Sequence, residues 1–94
     1  MPENKAKSTV LIDNERLRVT EWRFNPYAAT GFHKHELDFV ITPMTDGKLL
    51  LKGLDGDSYA ELTAGIPYFK EAGIEHDVIN DNAFEFIFLE TELK

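Results

Sequence analysis

The sequence predicts an all-β domain, either a sandwich or a barrel of short strands. About eight or nine β-prone runs alternate with turn signals roughly every 8–12 residues, which is the spacing of these folds. No stretch shows the apolar period of an amphipathic helix. All three histidines of the chain lie in two short segments about forty residues apart, so the predicted strands are also expected to carry the chemistry.

Length, charge and cysteine content limit what the domain can do. Ninety-four residues suffice for one domain with a modest core, which is expected over residues 9–94. Ten basic and 17 acidic residues give a net charge of −7, which argues against nucleic acid and membranes as partners. The absence of cysteine excludes a disulfide framework, a thiolate metal site and a cysteine nucleophile.

The first eight residues are polar and are expected to form a flexible tail. They lack the apolar core of a signal peptide, and no apolar run elsewhere approaches the roughly 18–20 residues of a transmembrane helix. The sequence therefore predicts a soluble cytoplasmic protein.

The first two strands are predicted at residues 9–12 and 16–24, separated by a turn signal at residues 13–14. The apolar parity of the second strand shifts between Val19 and Trp22. A β-bulge, or a strand buried on both faces, would explain that shift.

The middle of the chain is predicted to contain a histidine strand followed by a β-hairpin. Residues 38–42 and 48–52 are β-prone, and Asp46-Gly47 between them is a strong hairpin signal. Another tight connection is expected at residues 53–57. Further short strands are expected at residues 58–63, at residues 66–70 and around His76.

The last predicted strand, residues 84–93, is apolar on both faces. Its two faces carry Phe84, Phe86 and Phe88 on one side and Ile87, Leu89 and Leu93 on the other. One face can line the interior. The other must meet a second sheet or another subunit, because a wide exposed apolar patch is a liability. A homodimer is therefore favoured over a monomer.

The histidines indicate a metal site. His33 and His35 are two residues apart, so on a strand they share a face at a spacing of roughly 6.5–7 Å and can converge on one ion. His76 would supply a third ligand from elsewhere in the chain. Neutral imidazole suits Zn, Fe, Ni and Cu, and a nearby carboxylate would add affinity for Mn. The alternative is that these are ordinary polar residues of a strand.

Two histidine motifs carry a resemblance to a known family. The residues of the first motif are Gly31, His33, His35, Asp38 and Gly47. Those of the second are Gly73, His76 and Asn80, with Glu71 in place of a proline. With these motifs the chain resembles a small single-domain cupin over roughly residues 9–93. The resemblance implies a conical jelly-roll barrel, also called a double-stranded β-helix, which holds one divalent transition metal (Fe, Mn, Ni or Zn) in its mouth.

The chain departs from the cupin pattern at the acidic ligand. The family usually has a glutamate four or five positions after the second histidine, where this chain has Phe39 and Val40. Asp38 is the nearest substitute, so two alternatives stay open: Asp38 as a fourth ligand, or a three-histidine site. The opening at residues 11–14 and the ending at residues 90–94 are similar to a small bacterial cupin associated with β-alanine degradation.

Other polar and aromatic side chains are given supporting roles. Tyr59, Tyr68 and Phe86 are predicted to line the ligand pocket, where a phenol could act as an acid or anchor a substrate. Asn80 is expected to secure a turn rather than to contact a ligand. Four glutamates are expected to be solvated, namely Glu61, Glu85, Glu90 and Glu92.

Two functions follow from these features. The first is a metal-dependent enzyme that acts on a small polar or carboxylated metabolite, and the cupin resemblance makes a dioxygenase-like reaction the commonest case. The second is a non-catalytic module that binds a small ligand or serves as an accessory protein. The fold alone does not decide between them, because it hosts many unrelated functions.

Overall fold

A computed structural model of the chain describes residues 4–94. Over this range it contains nine β-strands and no helix, so the all-β prediction is confirmed. None of the described residues belongs to a helix that could cross a membrane. The strands are β1 (Lys7–Asp13), β2 (Leu17–Phe24), β3 (His33–Lys34), β4 (Phe39–Pro43), β5 (Gly47–Gly53), β6 (Gly56–Leu62), β7 (Tyr68–Lys70), β8 (Glu75–Asn80) and β9 (Phe86–Leu93).

The strands form two antiparallel sheets. One has five strands in the order β1-β2-β9-β4-β7, and the other has four in the order β3-β8-β5-β6. Successive side chains on a strand point to opposite faces. Along β9 this alternation buries Phe86, Phe88 and Glu90 and leaves the residues between them only half-buried. The inner faces of the two sheets therefore enclose both the core and the cavity described below.

Aromatic residues fill the closed end of the space between the sheets. The rings of Phe24 and Phe88 lie 5.4 Å apart, and Phe86 is fully buried beside them. Gly47 passes close to this cluster, because a Cβ atom at that position would lie 3.0 Å from the Phe86 ring. The buried apolar residues are Phe24, Ala28, Phe39, Ile41, Leu49, Leu62, Val78, Phe86 and Phe88.

Asn80 connects the two sheets at the same end. Its side chain is fully buried, and its Nδ2 donates hydrogen bonds to the carbonyl oxygens of Asn25 (3.1 Å) and Phe84 (2.8 Å). Its Oδ1 accepts a hydrogen bond from Asn82 Nδ2 at 2.6 Å. A buried amide is costly unless it is satisfied in this way. The structural role expected for Asn80 matches these contacts.

The hairpin predicted at Asp46-Gly47 is wrong. β4 belongs to the five-stranded sheet and β5 to the four-stranded sheet, so the connection between them crosses from one sheet to the other. Asp46 instead stabilises this crossing, since its Oδ1 accepts a hydrogen bond from the backbone of Ala64 at 2.7 Å. The hairpin in this region joins β5 to β6, where Gly53 pairs with Gly56 and Gly56 adopts a φ of 122°.

The bulge predicted between Val19 and Trp22 is not found in β2, and the irregularity lies in the neighbouring strand β1. The β1–β2 register shifts between Val10 and Ile12, whereas the β2–β9 register is continuous through Val19. β1 also begins earlier than expected: Lys7 and Ser8, assigned above to a flexible tail, pair with β2. Asn4 and Ala6 of the expected tail form backbone hydrogen bonds with Ala29. Residues 1–3 of that tail lie outside the described range.

The outer face of the five-stranded sheet carries a row that is apolar on four of the five strands, with a threonine on β9. Neighbouring positions in the register are Ile12, Val19, Thr91, Val40 and Phe69. The two ends of the row are well exposed, at 49% for Ile12 and 53% for Phe69. The second sheet lies against the inner face, so within residues 4–94 it does not supply a cover for this row. The homodimer stays a prediction.

The dimer prediction can be tested at Phe69. In sedimentation velocity at micromolar concentration, the wild type should run at twice the 10.7 kDa chain mass. The Phe69→Lys variant should sediment as a folded monomer of 10.7 kDa, because a charge in a sheet-to-sheet contact is desolvated without a partner. Tyr59→Lys, which changes an exposed aromatic residue of the other sheet, should leave the dimer intact. A monomeric wild type would refute the prediction.

Candidate metal centre

Three histidine side chains converge in the lining of the cavity between the two sheets. His33 in β3 lies directly opposite His76 in β8, and His35 follows β3 by one residue. The Nε2 atom of His35 is 3.0 Å from Nε2 of His33 and 3.0 Å from Nε2 of His76. The potential ligand atoms of all three residues lie within 4.8 Å of one another. The structure therefore brings together the three predicted histidines.

Backbone contacts place His35, although β3 ends before it. Its N–H donates to the carbonyl of Ile74 at 2.8 Å, and its carbonyl accepts from the N–H of Gly73 at 2.7 Å. Gly73 has a φ of 100°, a conformation that residues with a Cβ rarely adopt. The His35 ring stacks on Phe39 with centroids 3.9 Å apart. Both the backbone and the ring of His35 are therefore held in place.

The surroundings of His33 select its tautomer. Its Nδ1 lies 2.8 Å from the carbonyl oxygen of Gly31, which can only accept a hydrogen bond. Nδ1 must then carry the proton, and Nε2 presents its lone pair to the cluster. A backbone carbonyl on the far nitrogen is a common way to orient a metal-ligating histidine.

Burial keeps two of the imidazoles neutral. Burial, with the neighbouring His33 as a smaller cause, lowers the pKa of His35 to about 4. Burial likewise lowers the pKa of His76 to about 4, with His33 and His35 adding to the effect. Neutral imidazole is the form that binds metal ions. A set of three such nitrogens fits Zn, Fe, Ni or Cu and contributes no negative charge.

Asp38, the fourth predicted ligand, does not join the cluster. Its side chain is exposed, and its Oδ1 accepts a hydrogen bond from the backbone of Ala72 at 2.8 Å. Its position just before β4 directs the carboxylate to the turn ahead of β8 rather than into the cavity. Of the two alternatives from the sequence, the geometry matches the three-histidine arrangement.

The histidines open onto a cavity of about 730 Å³ between the sheets. Of the three predicted pocket residues, only Tyr68 lines it. Phe86 is fully buried in the core, and Tyr59 is 61% exposed on the outside of β6, where Lys48 Nζ lies 4.9 Å from its ring. Alternation explains Tyr59, because its neighbour Ser58 faces inward.

Glu90 is a site residue that the sequence interpretation missed. It is only 8% exposed, and its Oε2 lies 3.6 Å from Nδ1 of His35. Trp22 Nε1 donates a hydrogen bond to its Oε1 at 3.4 Å. Burial and the charge of Glu92 raise the pKa of Glu90 to about 7. Burial, together with Glu90, also raises the pKa of Tyr68 to about 12, so its phenol keeps its proton.

The neighbouring Glu92 also departs from expectation. It lines the cavity and pairs with Arg18, whose Nε lies 2.9 Å from Oε1 of Glu92. The signal for both acids was present in β9, because Glu90 and Glu92 continue the period-two series of Phe86 and Phe88. Glu61 and Glu85 are exposed, as expected.

Glu90 gives the metal-free protein a measurable pH dependence. Its folded-state pKa lies above the unfolded value, so its contribution to stability is present below pH 4.5 and is lost as pH rises through about 7. His35 and His76 behave oppositely, and their contributions are lost as pH falls from 6.5 towards 4. Glu90→Gln keeps an acceptor for Trp22 and should raise the free energy of unfolding at pH 8 by on the order of 2 kcal/mol.

Chemical denaturation in the presence of a chelator checks this result. The gain from Glu90→Gln should shrink as pH is lowered from 8 to 5. Glu61→Gln, which changes an exposed carboxylate outside the cavity, should give no gain at either pH. An equal gain from Glu90→Gln at both pH values would contradict the assigned shift.

Sequence comparison supplies one curated relative. The chain is 53% identical over 90 residues to the β-alanine degradation protein BauB of Pseudomonas aeruginosa. The aligned residues make up 96% of this chain and 95% of that protein. No protein-family model matches the chain. The similarity to a cupin associated with β-alanine degradation is therefore confirmed.

Solved structures agree with this relationship. A cupin domain from Bordetella pertussis superposes with a TM-score of 0.96 at 49% identity, covering 100% of this chain and 98% of that one. A Klebsiella pneumoniae protein with a double-stranded β-helix domain has a TM-score of 0.78 at 20% identity, covering 99% and 81%, and supports the fold alone. With identities of 53% and 49% over nearly its whole length, the chain belongs to the cupin family.

Proposed function

We propose that this cupin holds one divalent transition metal at His33, His35 and His76 and is a metal-dependent enzyme acting on a small carboxylated metabolite. The observation that supports this most directly is the convergence of the three Nε2 atoms in the lining of a cavity, with two of the separations being 3.0 Å. Three protein ligands leave coordination positions for a substrate.

The bound metal would either polarise a substrate oxygen as a Lewis acid or activate O₂. The protein supplies the rest. The stack of Phe39 on His35 and the carbonyl of Gly31 on His33 keep the ligand rings in one orientation without further ordering. Glu90 places a carboxyl group beside His35, within the same cavity, where it can exchange a proton with a bound substrate.

The relative from Pseudomonas aeruginosa supports a catabolic role. That protein is named for β-alanine degradation, and it shares 53% of the aligned positions. We extend this role to the present chain as part of the proposal, so its substrate would be a carboxylated compound of such a breakdown route. The reaction that we propose for this substrate is dioxygenase-like.

One observation favours a second candidate, a binding module without catalysis. The longest connection between strands in the described part of the chain is residues 25–32, and the others are shorter. Many enzymes close a loop over the substrate to exclude water, and short turns offer little material for such a lid. The same cavity would then hold its ligand as a sensor or accessory protein.

The metal content of the purified protein tests the first part of the proposal. Protein prepared without a histidine tag should contain about one transition-metal ion per chain by elemental analysis. His35→Ala and His76→Ala should each reduce this content about tenfold or more, because each removes one of three ligands. Asp38→Asn should leave it unchanged, because Asp38 contacts Ala72 instead of the cluster. Folded wild type without metal would refute the site.

Oxygen consumption separates the two functions. Iron-loaded protein should consume oxygen with at least one member of a panel of small carboxylic and amino acids, and the zinc-loaded form should not, because zinc has no redox chemistry. If the iron, manganese and nickel forms all fail to turn over a compound that they bind, the binding module is the correct reading.

A further inference from the structure

The cavity has an apolar wall that nothing in the described residues covers. Five side chains line it while staying partly exposed: Val10, Trp22, Leu51, Tyr68 and Ile74. Val10 is 56% exposed although it faces the cavity. Apolar surface kept in contact with water is costly, and a concave apolar wall with a few polar groups is typical of ligand sites. A bound molecule with an apolar body would cover this wall.

The polar end of the cavity favours an anionic head group. The three histidines bring no negative charge, and Asp38 lies outside the cluster, so a bound dication keeps its full charge. The charged side chains of the lining do not decide the sign of the ligand, because three basic residues (Arg18, Lys34 and Lys70) are offset by four acidic ones (Glu36, Glu75, Glu90 and Glu92), so the attraction for an anion comes from the dication. A second carboxylate would lie against the apolar wall at Trp22 and Leu51, where a charge is desolvated without a partner. This combination favours one carboxylate per ligand over two.

The size of the cavity argues against a very short ligand. Its volume of about 730 Å³ lies within the usual range of ligand pockets, roughly 300–1,000 Å³. β-Alanine is a short zwitterion without an apolar body, and it would leave the wall at Trp22 and Leu51 in contact with water. The name of the curated relative alone would suggest β-alanine as the ligand, whereas the cavity suggests a larger acid.

We propose that the cavity binds a monocarboxylate whose carboxylate lies at the histidine cluster and whose apolar body covers Trp22 and Leu51. The position of the head group rests on the proposed function. The apolar body is a separate inference, since it depends on the wall and not on the metal. The ligand class is therefore that of aliphatic or aryl monocarboxylates rather than dicarboxylates or short amino acids.

A homologous series of acids tests this class. Zinc-loaded protein is titrated with straight-chain monocarboxylates from acetate to octanoate, with β-alanine and with succinate. Trp22 is the only tryptophan and lines the cavity, so its fluorescence reports contact with the body of the ligand. Each added methylene should lower Kd about fourfold until the wall is covered, as expected for burial of one CH₂ group. β-Alanine and succinate should bind more weakly than hexanoate.

A pair of leucine variants locates the wall. Leu51→Ala should weaken octanoate binding about tenfold, which corresponds to the loss of much of one leucine contact, and leave acetate unchanged. Leu54→Ala is the matched control, because Leu54 is 71% exposed in the β5–β6 turn outside the cavity. If Leu51→Ala fails to fold, the dependence of Kd on chain length in the wild type still tests whether the ligand has an apolar body that covers the wall.

The outcomes distinguish this inference from the proposed function, because metal content is measured on the same samples. A Kd that does not change with chain length, or tightest binding by β-alanine or succinate, overturns the ligand class even when one metal is bound. Protein that binds no metal but keeps the dependence on chain length supports the apolar wall and refutes the metal centre. Bound metal together with the fourfold steps supports both.

Discussion

The short pairing of β3 with β8 is the constraint on which the site depends. It contains only two residue pairs, and one of them places His33 directly opposite His76. Because side chains alternate along a strand, a slip of one residue would turn His76 away from the cavity. The two backbone bonds of His35, to Ile74 and from Gly73, extend the register beyond the strand and fix the third imidazole. Site geometry is thus set largely by backbone hydrogen bonds.

Electrostatics then separate the titratable groups of the cavity. Burial disfavours charge on every group, so it lowers the pKa of His35 and His76 and raises those of Glu90 and Tyr68. The carboxylate of Glu92, which also lines the cavity, is paired with Arg18. The result is a largely neutral interior below a charged rim, which suits a cation that brings its own charge.

Much of this could be predicted from local pattern. Period-two alternation and turn residues predicted the strands, and the spacing of His33 and His35 predicted their shared direction. Pairing between strands is not local, so the turn signal at Asp46-Gly47 predicts a hairpin although its flanking strands join different sheets. Asp38 lies near the histidines in sequence but faces another turn. Residue type alone predicts a solvated Glu90, but its position on the buried face of β9 outweighs its charge.

The stack of His35 on Phe39 has a mechanical consequence. The backbone of His35 is hydrogen-bonded to the turn before β8 of the four-stranded sheet, whereas Phe39 belongs to the five-stranded sheet. The stacked rings of His35 and Phe39 therefore connect the two sheets. Asn80 clamps the layers at the opposite end. The two sheets are therefore joined by hydrogen bonds at one end of the domain. An ion held by the histidines would join them at the other end, so that metal binding would make the whole sandwich more rigid.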